Sequence, residues 1–252
     1  MWGMTSNGTL ITPHIAQKLE KVGMKTISVS IDGLEQTHDD FRQSKGGFRK
    51  SISGIKNLLA HDFKAVQVTT VVTKKNIAEL EQLCALMCEL DVDSWRVINI
   101  EPIGRALTLD GYTLDKEDYR YLFSFIRQKR LKGYPVTYGC QHYLGTDYEK
   151  EVRDWYFLCN AGIYVASVMA NGDIGACLDI ERRKETIQGN IFKDDFTQVW
   201  YNRFQIFRTP LAEKNTECAN CLSRPFCDGG AYHSWDYDTN KPLVCFKNIL
   251  FC

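Results

Sequence analysis

The stretch Cys218-Ala-Asn-Cys221-Leu-Ser-Arg-Pro-Phe-Cys227-Asp-Gly-Gly-Ala231 decides how the rest of the chain is read. Its cysteines are spaced C-x2-C-x5-C, and Cys245 follows downstream. Two thiols separated by two residues reach one soft metal centre, because the turn between them points both sulfurs inward. A second pair, Cys159 and Cys177, lies upstream in the spacing C-x12-G-x4-C around Gly172. The plainer reading is a set of buried or disulfide-bonded cysteines. Against it stand ten cysteines and a start without a charged-then-apolar leader. That combination reads as a cytoplasmic protein, where thiols bind metal rather than pair. Spacing alone suits zinc as well as iron, since both accept the C-x2-C turn.

The chain has 252 residues, 44% hydrophobic and 25% charged, enough for one large or two smaller globular domains. Its formal net charge is zero, so no global field points to nucleic acid. No apolar run approaches the roughly 20 residues of a membrane span.

The first half alternates strand and helix. Thr26–Ile31 and Val66–Val72 are β-branched runs of strand length, and Trp95–Ile100 reads as a third. Helical periodicity marks Thr12–Val22, Gly47–Leu59, Ile77–Leu90 and Asp115–Leu131. With a strand at Thr5, this predicts an α/β fold with about four parallel strands in βαβ units. The chain is too short for a closed eight-stranded barrel, so a partial barrel is expected. Ligands of such sheets sit at the carboxyl ends of the strands, where Ser30, Asp32, Arg42, Thr73, Glu101 and Arg105 fall. After Gly133 the texture becomes rich in Tyr, Cys and Gly. Asn171-Gly172-Asp173 signals a hairpin, and Phe196–Phe207 a short helix. The domains are therefore expected at residues 1–134 and 135–252.

Taken together, these residues resemble a radical S-adenosylmethionine enzyme with a C-terminal SPASM domain. The maturases of peptides and proteins, including the anaerobic sulfatase maturases, are of this kind. The family's SPASM pattern is C-x9-15-G-x4-C, then C-x2-C-x5-C-x3-C, then C. Cys159, Gly172, Cys177, Cys218, Cys221, Cys227 and Cys245 match it in order. Ser28-Val-Ser30-Ile-Asp32-Gly33 resembles the family's fourth strand, Thr5–Ile11 its third strand and turn, and Val97–Ala106 its sixth strand and exit loop. The resemblance implies a partial (β/α) radical SAM barrel over 1–134 and an auxiliary-cluster domain over 135–252. It also implies cofactor binding by Ser30, Asp32 and Arg42, with Arg42 on the carboxylate of S-adenosylmethionine.

Two departures stand out. The C-x3-C-x2-C motif that holds the cofactor-cleaving cluster is not in this sequence, nor is the Gly-Gly-Glu motif of the next strand. Both belong upstream of Met1, so the chain is expected to be N-terminally truncated and inactive alone. The nearest local spacing, Cys84-x3-Cys88, lies mid-helix and reads as two buried residues on one face. Second, Ala231 stands where the pattern has its C-x3-C cysteine.

The resemblance implies 4Fe-4S clusters as auxiliary cofactors. Cys218, Cys221, Cys227 and Cys245 supply four ligands for one. Cys159 and Cys177 belong to the other, with Cys140 as a third ligand and His233 or Cys252 as candidates for the place lost at Ala231. Asp179, just past Cys177, is the candidate catalytic acid or base. Tyr156, Trp200 and Trp235 are expected to pack around the clusters. The implied function is radical-based modification of a peptide or protein side chain, with flavodoxin or ferredoxin as electron donor. The competing class is a non-catalytic, iron–sulfur- or zinc-stapled module that binds a peptide or partner.

Overall fold

The computed structural model describes residues 2–140, 142–156 and 158–250, the side chain of Asn248 apart. The chain divides into two compact units. One comprises Met1–Ile100, Leu109–Cys140 and Lys150–Asp154; the other comprises Glu101–Thr108, Gln141–Glu149 and Trp155–Cys252.

The first unit is built on a parallel sheet of β1 (Gly3–Ser6), β2 (Thr26–Ser30), β3 (Ala65–Val72), β4 (Ser94–Asn99) and β5 (Val136–Tyr138), in that spatial order. The connections carry α1 (Pro13–Lys21), α2 (Glu35–Arg42), α3 (Gly47–Leu59), α4 (Leu80–Leu90) and α5 (Lys116–Leu131). The alternation of the strands is the reason for the fold. Ile27, Val29, Val66, Val68, Val72, Trp95 and Val97 are buried and share the core with Ile55, Leu58, Leu83, Met87, Leu122 and Ile126 of the helices. Caps set the helix ends. Thr12 accepts from the Ile15 N–H before Pro13, and Asp115 and Asp118 form a capping box at α5.

The other set of side chains is polar and only half-buried. Ser28 lies opposite Gln67, Ser30 opposite Thr69, and Thr69 opposite Arg96. The Ser28 and Thr69 hydroxyls are 2.7 Å apart, and the Gln67 amide donates to both. Parallel sheets are ordinarily apolar on both faces. A polar face here marks the side of the sheet left for a ligand.

The second unit has only short elements. After α6 (Thr146–Val152), β6 (Ser167–Val168), β7 (Asp173–Gly175) and β8 (Gly189–Asn190) form a small antiparallel sheet. Gly172 turns the first hairpin at φ 86°, with the Phe192 ring where a Cβ would sit. Then follow α7 (Phe196–Arg203), α8 (Thr216–Ala219), α9 (Arg224–Cys227), the β9 (Trp235–Asp236) and β10 (Lys241–Pro242) pair, and α10 (Phe246–Leu250). Ile174, Val199, Phe204, Phe207, Leu211 and Trp235 form its apolar core.

The sequence reading stops at four strands, and the sheet has five. Val136-Thr-Tyr138 is too short to show a period, and its pairing with β4 is what makes it a strand. The reading also misses α2, which buries only His38 and so has no apolar stripe. The helix expected over Phe196–Phe207 tightens to a 3₁₀ turn after Arg203. Among the described residues no helix is long and apolar enough to cross a membrane.

Gly54 of α3 tests the packing of the first unit. A Cβ there would lie 2.3 Å from the Gly8 carbonyl oxygen. Alanine gains about 1 kcal/mol of helix propensity, yet overpacking against backbone costs typically 1–3 kcal/mol. Gly54→Ala is therefore expected to lower the urea midpoint despite the better helix former. A raised midpoint would contradict this packing.

Candidate metal and cofactor sites

In the first unit the sheet's exit is organised by Asp32, which is fully buried. Its Oδ2 accepts from Arg42 Nε and Nη2, both at 2.5 Å, and its Oδ1 accepts from the Val71 N–H at 2.9 Å. The Asp32 N–H donates to His38 Nδ1 at 3.0 Å, and its carbonyl accepts from the Asn76 amide at 2.8 Å. Three donors on one carboxylate account for most of its acceptor capacity. The geometry thus gives Asp32 the work of fixing Arg42 and the ends of β2 and β3. A cavity of about 230 Å³ adjoins it, lined by Asp32, Thr37, Asp40, Phe41, Thr73, Lys75 and Tyr112. Ser30 and Arg42 are not among its lining residues; Ser30 stands half-buried on the polar face.

Two further groups on that face are absent from the sequence reading. Arg96 Nε and Thr137 Oγ1 are buried without a hydrogen-bond partner among the described residues, although Arg96 Nη2 donates to the Gly139 carbonyl. They lie side by side in register across β4 and β5. The signal was the polar residue inside a β-branched strand, which is legible only once the register is known. Arg105 is exposed on the Gly104–Thr108 turn.

In the second unit, Cys218, Cys221, Cys227 and Cys245 line one pocket, together with His142, Arg224 and Lys247. The local chain explains the convergence. Asn215 caps α8 by accepting from the Cys218 N–H, the Cys221 N–H returns to the Cys218 carbonyl, and α9 ends at Cys227. Asp228, Gly229 and Gly230 then turn the chain, all at positive φ. A Cβ on Gly229 would lie 2.5 Å from the Ala212 nitrogen, so the close approach admits only glycine. Burial pushes the Cys227 thiol up to about 12, and the neighbouring thiols add to this while the Gly229 N–H opposes it. Four thiols in such a place become thiolates only beside a cation, the condition of a metal or cluster site.

Cys159 and Cys177 pack against the same apolar core. Burial raises both thiols, and this is partly opposed by nearby backbone N–H groups, those of Tyr232 and Ala161 at Cys159 and of Asp179 and Leu178 at Cys177. Such N–H groups beside sulfur help tune an iron–sulfur cluster. Ala231 is buried beside Tyr232 and offers no ligand. Cys140 belongs to the first unit, where its thiol approaches the Asn99 carbonyl at 3.9 Å. His233 Nε2 faces Glu101 Oε2 at 3.3 Å, and Cys252 lies outside the described residues. Asp179 is exposed, with its Oδ2 4.0 Å from Cys177 Sγ. Trp235 is in the core and Trp200 packs against it, whereas Tyr156 is half-exposed against Tyr143 and Phe226. Cys84 and Cys88 do not share a buried face: Cys84 is buried in α4 and Cys88 is exposed.

The chain thus joins a parallel α/β sheet with one polar face to a short-element unit whose four cysteines line one pocket. Comparison with known proteins points to a family. Residues 2–87 match the radical SAM superfamily, and residues 159–222 match SPASM, an iron–sulfur cluster-binding domain. Over these segments the chain is similar to the radical SAM superfamily and to SPASM domains, matches that imply 4Fe-4S clusters and S-adenosylmethionine as cofactors. It is 28% identical to the AdoMet-dependent heme synthase of Methanosarcina barkeri, over 97% of this chain and 74% of that protein. It is also 28% identical to the mycofactocin maturase MftC of Mycolicibacterium smegmatis, over 95% of this chain and 60% of that one. Its fold resembles native anSMEcpe with bound AdoMet and Cp18Cys peptide, with a TM-score of 0.69 at 19% identity, covering 98% of this chain and 71% of that one.

Three outcomes follow from the two sites. Asp32→Ala leaves Arg42 and the Val71 N–H without their acceptor, and breaking a buried pair costs on the order of 3 kcal/mol. The urea midpoint should fall with an unchanged slope. For His38, burial outweighs the neighbouring Asp32 carboxylate and lowers its pKa. Unfolded histidine titrates near about 6.5, so the unfolded chain takes the proton first. This contribution to stability is complete above that pH and is lost as pH falls below it. His38→Gln should flatten stability against pH in that window. Finally, Gly229→Ala should cost more than about 1 kcal/mol and lower the iron retained after anaerobic reconstitution. Gly230→Ala, with open space at its Cβ, should do less; equal losses would remove the close approach as the cause.

Proposed function

We propose that this chain is that of a radical SAM/SPASM maturase that modifies a peptide or protein side chain. The observation that carries the reading is the convergence of Cys218, Cys221, Cys227 and Cys245 on one pocket, in the domain whose family binds iron–sulfur clusters. These four would hold one auxiliary 4Fe-4S cluster. Cys159 and Cys177 would hold part of a second, with a position left open where Ala231 stands in place of a cysteine.

When bound, S-adenosylmethionine would supply radical hydrogen-abstraction chemistry. In this chain, Ser30 and the neighbouring hydroxyls of the polar face would hold the cofactor's ribose and methionyl portions. Arg96 Nε and Thr137 Oγ1 are the buried groups there that a ligand would satisfy. Arg42, oriented by Asp32, would meet the carboxylate with the part of its guanidinium that Asp32 leaves over. Asp179, whose Oδ2 lies 4.0 Å from Cys177 Sγ, would serve as the acid or base. Flavodoxin or ferredoxin would supply the electron, in the cytoplasm.

The mycofactocin maturase relative supports a peptide substrate. The heme synthase relative supports a second reading, a porphyrin in place of the peptide. Titration with iron coproporphyrin separates them. A stoichiometric Soret shift favours the porphyrin, and its absence together with peptide binding favours the maturase.

Anaerobic reconstitution should load about four to eight iron atoms per chain with matching sulfide, visible as charge-transfer absorbance near 400 nm on the scale of known clusters. Cys221→Ala should remove about one cluster's share. Stoichiometric zinc with no iron would favour the non-catalytic module instead. The 252-residue chain contains no C-x3-C-x2-C. Incubated alone with S-adenosylmethionine and a reductant, it should form no 5′-deoxyadenosine, and measured formation would overturn that part of the reading.

A further inference from the structure

Within the second unit three side chains meet that the proposed function does not use: Glu101, His142 and His233. Glu101 Oε1 is 2.6 Å from His142 Nε2, and Glu101 Oε2 is 3.3 Å from His233 Nε2. The side chains of Glu101 and His142 are 8% and 3% exposed, and that of His233 is 15% exposed. One ligand atom from each lies within 4.8 Å of the others. The three arrive from separate stretches of chain: Glu101 just past β4, His142 ahead of α6, and His233 on the turn before β9. Nothing in their sequence spacing links them.

The chemistry of the set is specific. Two imidazoles and one carboxylate are the donor set that divalent first-row metals take with open positions to spare. Metal–ligand bonds of about 2.0–2.2 Å put neighbouring ligand atoms roughly 3 Å apart, the scale seen here. A second observation points the same way. Glu101 Oε2 is buried and meets no hydrogen-bond donor in good geometry among the described residues; its one neighbour is the His233 imidazole, at 3.3 Å, a contact that a shared metal ion would also produce. A buried carboxylate oxygen left in that state is costly unless a cation satisfies it. Phe246 packs edge-on to the His142 ring at 5.3 Å between centroids, which limits its rotation.

We propose that Glu101, His142 and His233 form a binding site for one divalent first-row transition-metal ion, with the carboxylate and the two Nε2 atoms as ligands. The donors are nitrogen and oxygen, so the site selects harder ions than the thiol-lined pocket, which favours soft ones. His142 also lines that pocket. An ion at the triad therefore places positive charge close to the four cysteines. The site stands independently of the maturase reading, since neither its geometry nor its donors invoke the radical chemistry.

Mn²⁺ is the probe, because thiolates bind it poorly and it reports by electron paramagnetic resonance. The anaerobically reconstituted chain is stripped with chelator and titrated with Mn²⁺. One ion per chain should leave the free pool, and the bound ion should show nitrogen couplings from imidazole. Loss of an outer-shell partner already weakens metal sites by roughly 10–100-fold, so Glu101→Gln and His233→Asn should each weaken binding by more. Their iron and sulfide contents and melting temperatures are compared with the parent to separate ligand loss from misfolding. The nitrogen couplings in the parent decide the question even where a variant fails to fold. Absence of bound Mn²⁺, binding without imidazole nitrogen, or affinity unchanged in well-folded variants would each overturn the proposal and leave a hydrogen-bonded Glu–His cluster.

Discussion

Cys227 is half-buried, and its desolvation holds the proton on its sulfur more tightly than in water; the three other thiols of its pocket tighten it further. A group of four cannot ionise together without a positive charge among them. The second unit is arranged around that demand. Its secondary structures are two to eight residues long, and its apolar core is small. Elements of that size do not stand alone. What they do is deliver cysteines: a capped turn of helix for Cys218, a tight return for Cys221, a second short helix for Cys227, and a glycine turn that seats the loop against Leu211 and Ala212. A cluster bound here would contribute folding free energy directly, as structural metals do in other short-element domains.

The first unit meets the opposite requirement. It has a full helix layer and needs no metal to be folded, but one face of its sheet is polar. Asp32 is where the two faces are reconciled. Its carboxylate ties the guanidinium of Arg42 to the ends of β2 and β3, and its own amide fixes the tautomer of His38 by donating to Nδ1. Removing it would release Arg42 and the ends of β2 and β3 at once.

Much of this was legible from the residues alone. β-branched runs marked β2, β3 and β4, helical periods marked α1, α3, α4 and α5, and the cysteine spacing marked the pocket. What escaped was whatever has no local signature. Val136-Thr-Tyr138 is a strand by virtue of its neighbour. The helix α2 is polar almost throughout. Arg96 and Thr137 sit in strands as single polar residues, and only the register brings them together. The triad of Glu101, His142 and His233 spans more than 130 positions of chain and has no spacing rule at all. Glu101 was listed only for its place at a strand end, and His142 gave no signal. Conversely, spacing overstated Cys84 and Cys88: four residues apart on a helix, they look like a buried pair, and only one of them is buried.

The order of the sheet has a consequence for how the chain comes to be folded. Each strand of the first unit pairs with the strand immediately before it in the sequence, from β1 through β5. No pairing waits for a distant segment, so loop closure at each step involves one crossover only. A chain emerging from the ribosome can add strand after strand to a growing edge, with each new helix covering the last. The cysteines of the pocket come afterwards, between residues 218 and 245. The earlier unit can thus be a finished scaffold before any thiol of that pocket has been made, and iron need arrive only at the end of synthesis.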